Sequence, residues 1–143
     1  MSTTNSYAVG KSRSKGLNIG IWIAQVILAL MMLMSGFMKI STPIAELGKT
    51  MAFVRDVPEG LVRFIGVVEI LGAIGLLLPS ILRIQPKLTV YAALGVAFIM
   101  ILAIPFHISR GEVSGLPVNF AILLLAVFVA WGRMKKEPIA SKS

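Results

Sequence analysis

Four apolar stretches of about 20 residues each dominate this chain of 143 residues. They cover 17–38, 61–82, 88–108 and 116–134, and charge is almost absent from them. At 1.5 Å per residue a helix of roughly 20 residues crosses the ~30 Å hydrocarbon core of a bilayer. The apolar character is continuous rather than alternating, which argues for helices and against the strands of a membrane barrel. Composition agrees. Apolar residues make up 57% of the chain and charged residues 14%, whereas an ordinary soluble domain carries roughly 25% charge. Disorder is excluded by the same figures, because disordered chains are poor in hydrophobics and rich in charge. The expected fold is all-α: a four-helix antiparallel bundle spanning the membrane over 17–134, with polar tails at 1–16 and 135–143.

The connections are short. Pro79 to Lys87 and Ser109 to Gly115 each join neighbouring runs, so those helices run antiparallel. The loop from Lys39 to Gly60 is longer and patterned. Ile44, Leu47, Met51 and Val54 recur at helical spacing and Pro43 suits a first-turn position, which predicts a short amphipathic helix between helices 1 and 2. The first run is longer than a signal-peptide core and ends in Ser35-Gly36-Phe37-Met38-Lys39, so it reads as a retained helix.

The net charge is +8. The cations flank the apolar runs, and no basic stripe interleaved with aromatics is present, so a nucleic-acid partner is not expected. With the N-terminus inside, Lys11, Arg13, Lys15, Arg83, Lys87, Arg133, Lys135, Lys136 and Lys142 fall on the cytoplasmic side. Lys39, Lys49, Arg55, Arg63 and Arg110 fall on the other. That bias predicts cytoplasmic N- and C-termini. Trp22 and Trp131 then lie near the cytoplasmic interface as lipid anchors.

Cysteine is absent and His107 is the only histidine. No disulfide, thiolate zinc site, iron–sulfur cluster or bis-histidine haem can be built from one such chain, so no metal or haem is expected. Met31, Met34 and Met38 form a stripe; packing explains it better than copper ligation.

The polar residues within the spans need a reason. Glu69 lies six residues beyond Arg63, roughly 9 Å into helix 2, where a carboxylate requires a partner, a proton or water. Gly66, Gly72 and Ala73 share its face and allow close helix approach or leave room for a ligand. Lys39 closes helix 1, one turn after Ser35. His107 follows Pro105 near the end of helix 3, and Asn119 opens helix 4 after Pro117. Gln25, deeper in helix 1, is expected to bond another helix. On the antiparallel topology Lys39, Glu69, His107 and Asn119 all fall in the same half of the bundle. An acid, a base, a cation and an amide there would suit a polar head group and its protons. In this reading Glu69 and His107 are the catalytic candidates, while Lys39, Asn119, Ser35, Gly66 and Gly72 bind substrate or cofactor.

These segments resemble the DoxX-like family of small four-helix membrane proteins. The resemblance rests on Ser35-Gly36-Phe37-Met38-Lys39, on the run from Ile65 through Glu69 to Pro79, on His107 and on Asn119, and it spans about Leu17 to Gly132. It implies a bacterial cytoplasmic-membrane protein. Relatives of that family include a subunit of an archaeal thiosulfate:quinone oxidoreductase, a mycobacterial protein of an oxidative-stress complex and a receptor assembly chaperone. Two functions follow as expectations. One is a quinone-linked redox protein or redox-complex subunit, fed by a soluble or membrane redox partner. The other is a non-catalytic membrane assembly or binding protein in which the polar cluster is structural. Homo-oligomerisation is compatible with either. A small-solute transporter fits less well, because four helices line a pathway poorly and no inverted repeat is visible.

Overall fold

The computed structural model describes residues 14–142. Lys11 and Arg13, counted in the charge bias, lie outside them. Helices α1 (Lys15–Ser41), α3 (Glu59–Leu82), α4 (Lys87–Ser109) and α5 (Leu116–Trp131) form the bundle, and α2 (Ile44–Thr50) is a short helix between the first two spans. A 3-10 turn (Ala52–Arg55) follows α2, and a π-helical turn (Gly132–Lys136) extends α5. With that turn, each of the four long helices is long and apolar enough to cross a membrane. Around the bundle, α1 packs on α3, α3 on α4, α4 on α5 and α5 on α1. One end carries α2 and is called the α2 end below; the other carries the first and last described residues and is called the tail end.

The arrangement of side-chain size explains the solvent. Alanines 24, 29, 73, 93, 97, 126 and 130 are buried, while Phe37, Phe64, Leu71, Phe98 and Leu124 are more than 60% exposed. A soluble bundle would put its bulk inside. Here many of the largest apolar side chains face outward and alanines recur among Leu28, Met32 and Leu76 inside, as expected where lipid tails solvate Leu as well as a core does and close packing holds helices together. The chain is an integral membrane protein.

Spacing fixes which face turns inward. On α3 the buried residues are Val62, Gly66, Glu69, Ala73, Leu76 and Ser80, alternating steps of four and three. That is the seam of a left-handed antiparallel bundle. Glu69 therefore sits on the packed seam and not toward lipid. Pro79 lies inside the last turn of α3 rather than ending it. The turn into α4 is made by Arg83 and Gln85 in left-handed conformation (φ 56° and 49°), which costs a side-chain-bearing residue about 1–2 kcal/mol.

The expected amphipathic segment forms. Leu47 and Val54 are buried with Val62 of α3, and Met38, Ile44, Met51 and Phe53 pack around them. The segment is thus folded back over the ends of α1 and α3.

Backbone contact between α1 and α3 depends on two glycines. A Cβ on Gly36 would sit 2.6 Å from the Gly66 carbonyl oxygen, and a Cβ on Gly66 would sit 2.9 Å from the Gly36 carbonyl oxygen. No side chain can relax that clash, because the obstacle is backbone. Gly66→Ala is therefore expected to lower stability by about 1–3 kcal/mol. Gly95→Ala, where a Cβ would meet nothing within 4 Å, should be neutral or stabilising by up to about 1 kcal/mol. Unfolding in detergent compares the two; equal midpoints would contradict the contact.

Candidate functional site

The close α1–α3 approach brings Lys39 onto Glu69. Lys39 Nζ donates to both Glu69 carboxylate oxygens at 3.0 Å and to Ser35 Oγ at 2.6 Å. Both charged residues are 5% exposed. All three ammonium protons thus have acceptors, and both carboxylate oxygens are engaged. Desolvating two ions costs several kcal/mol each, and only close geometry with full hydrogen bonding returns that cost.

Arg63, nearly two turns before Glu69 on α3, supports the pair. Its Nη1 donates to the carbonyls of Lys39 (2.7 Å) and Thr42 (2.8 Å), and its Nη2 pairs with Glu59 at 2.9 Å. The last carbonyls of a helix lack intrahelical donors, so a cation here both satisfies them and opposes the negative end of the helix dipole. The α1 terminus carrying Lys39 is thereby tied to α3 at a second point. Sequence spacing marked Arg63 only as a charge near a helix start.

His107 belongs to a different group. Its Nδ1 is 2.7 Å from Glu112 Oε2, and Glu112 Oε1 accepts from Arg110 Nε at 2.7 Å. Arg110 also pairs with Asp56, just after the 3-10 turn. The rings of Phe53 and Phe106 stand edge-on to His107 at centroid distances of 5.6 and 5.5 Å. This network fastens the α2 segment to the α4–α5 connection. Glu112 was not a candidate, because a loop acid three residues past a helix end carries no spacing signal.

The remaining expected positions do not join these groups. Asn119 is half-buried in the first turn of α5, and its side chain makes no hydrogen bond among the described residues. Gly66 touches α1 beside Lys39, but Gly72 faces α4, where a Cβ would meet Val96 at an ordinary 3.7 Å. The Ser35–Lys39–Glu69 and His107–Glu112–Arg110–Asp56 groups of the α2 end are thus separate, with no hydrogen bond between them.

A third set lies at the tail end. Arg133 is 4% exposed. Its Nε donates to Gln25 Oε1 (3.0 Å) and its Nη1 to Asn18 Oδ1 (2.7 Å) and the Glu137 carbonyl (3.0 Å). Trp22 lies under the guanidinium, 4.9 Å from ring centroid to Cζ, so it is a partner of Arg133 as well as an interfacial residue. Gln25 is fully buried and also donates to the Leu76 carbonyl of α3, the interhelical bond its depth predicts. Ser80 and Thr89 bond each other at 2.6 Å beside it. Arg133 was counted only toward topology. The signal was present: it follows buried Ala126, Val129 and Ala130 at seven, four and three residues, on the packed face.

The hydrogen bond from His107 and the Arg110 guanidinium hold the Glu112 carboxyl below the usual carboxylate range. A folded-state value below the unfolded one adds stability above the unfolded value, about 4.3, and loses it as pH falls through the folded one. Hydrogen exchange across 44–57 should therefore quicken on acidification below about pH 4, and Glu112→Gln should give the fast rate already at neutral pH. Unchanged protection in that variant would show that the network does not hold the segment.

No curated protein and no solved structure matches the chain. The DoxX-like family pattern does, over residues 23–129. That range takes in most of the four spans and Ser35, Lys39, Glu69, His107 and Asn119. The chain belongs to the DoxX-like family.

Proposed function

We propose that this protein is a non-catalytic binding or assembly component of its membrane, and that Lys39–Glu69 is a structural lock between α1 and α3. The observation that carries this reading is the saturation of the pair. The ammonium has no donor left for a ligand, and the contacting Gly36 and Gly66 backbones leave no room beside it. A head-group site needs a free donor and a cavity.

A quinone-linked redox role is the second reading, and one observation favours it. Glu112 fixes His107 Nδ1, and the ring makes no other hydrogen bond among the described residues. The other nitrogen is thus without a partner among the described residues, beside the rings of Phe53 and Phe106. A quinone would supply two-electron, two-proton chemistry, with electrons delivered by a partner. The four polar residues expected around its head group do not fit it as one set, because Lys39 and Glu69 are closed on each other and His107 is tied elsewhere. Under this reading the redox site reduces to His107 and its surroundings.

The charge bias supports cytoplasmic tails, and the family resemblance a bacterial cytoplasmic membrane. Single cysteines placed in either tail, in a chain that has none of its own, should resist impermeant labels in intact cells. Native mass spectrometry of the protein released from nanodiscs separates the functional readings. The first predicts a co-purifying polypeptide, or a second copy of the chain, and no quinone. Stoichiometric quinone that disappears in His107→Ala would overturn it in favour of the second.

A further inference from the structure

The tail end of the bundle contains a cleft of about 530 Å³, walled by the α3–α4 turn, the start of α4, the π-helical turn and residues 138–142. Its charged lining residues are Lys87, Arg133 and Lys142, and no acid lines it. The acid closest in sequence, Glu137, does not line it: Glu137 is buried beside Arg133, and its Oε1 accepts from the backbone N–H of Ser14 at 2.7 Å.

Two further observations point to an anion. The first is Arg133 itself. Its Nε and Nη1 are satisfied, but Nη2 is buried and has no hydrogen-bond partner among the described residues. A buried, unsatisfied guanidinium nitrogen is costly and needs an explanation, and Arg133 lines the cleft. The second is the fastening of the C-terminal segment. Arg83 Nε donates to the Ala140 carbonyl at 3.0 Å, and Lys142 N–H donates to the Arg83 carbonyl at 2.7 Å. Arg83 is one of the two left-handed residues of the α3–α4 turn, so that strained turn is the anchor. The strap holds Lys142 beside the cleft when repulsion between like charges would otherwise drive it away.

We propose that this cleft binds a phosphate group, with Lys87 and Lys142 as its outer contacts and Arg133 at its base. Phosphate offers several acceptor oxygens to a fork of N–H donors, and basic pockets between spanning helices suit phospholipid head groups. Ile84, Val90 and Ile139 give the cleft an apolar side as well, which suits a phosphate ester with an acyl chain. A free phosphate shares the same polar chemistry, and the experiment distinguishes the two sources.

The test uses the full chain, delipidated in detergent. One arm offers equal amounts of phosphatidylglycerol and phosphatidylcholine with matched chains and reads retained lipid by native mass spectrometry. The other compares thermal midpoints in inorganic phosphate and in chloride at equal ionic strength. Lys87→Glu/Lys142→Glu changes two exposed side chains and is the disrupting variant, with Lys87→Gln/Lys142→Gln as a milder version. Lys15→Glu/Lys135→Glu makes the same change in net charge outside the cleft.

A lipid site predicts about tenfold preference for phosphatidylglycerol, kept in the control and lost in both cleft variants. A free-phosphate site predicts a higher midpoint in phosphate than in chloride, with the same pattern across variants. Absence of both preferences, survival of either in the cleft variants, or equal loss in the control would overturn the proposal.

Discussion

An ammonium and a carboxylate closed on each other inside an apolar bundle set the arrangement of everything near them. Lys39 and Glu69 come from helices whose backbones meet at a pair of glycines. In a membrane those helices gain little from burying apolar surface, since lipid solvates it equally well. An ion pair there is different: separating the partners leaves two charges in hydrocarbon. The glycine contact at residues 36 and 66 lets the pair close, and the closed pair fixes the glycine register. Arg63 ties the end of α1 to α3, and the α2 segment folds over that junction.

The bundle as a whole is latched at both ends around an alanine-rich middle. At the α2 end are the Lys39 and His107 sets. At the tail end Arg133 collects Gln25 from α1, the Glu137 carbonyl beyond α5 and the ring of Trp22, while Gln25 reaches on to Leu76 of α3. Such polar contacts make one helix arrangement much better than its neighbours, which packing of alanines alone does poorly. A protein that presents a fixed surface to a partner needs that uniqueness, and a protein that opens to admit a head group would sacrifice it. This is the physical ground for placing the assembly reading ahead of the redox one.

Much of this was legible in the residues. A bilayer dictates span length and composition, so the four runs and their antiparallel order follow directly, as does the amphipathic helix from Ile44, Leu47, Met51 and Val54. Glu69 and Lys39 stood out because charge within a span demands a reason. What could not be read was partnership. His107 and Glu69 share one half of the bundle, yet helical spacing says nothing of rotation between helices, and His107 turns to a loop acid instead. Arg133 was obscured for another reason. A basic residue at the end of a span looks like a topology signal, and only its register with Ala126 and Val129 reveals that it points inward.

A double-mutant cycle on Lys39 and Glu69, read by reversible unfolding in detergent or bicelles, tests the lock most directly. Lys39→Met or Glu69→Leu alone strands one buried charge and should cost about 3–5 kcal/mol. The double replacement removes both charges and should fold within about 1 kcal/mol of the natural chain. Singles that unfold no earlier than the natural protein, or a double variant as unstable as the singles, would contradict the account.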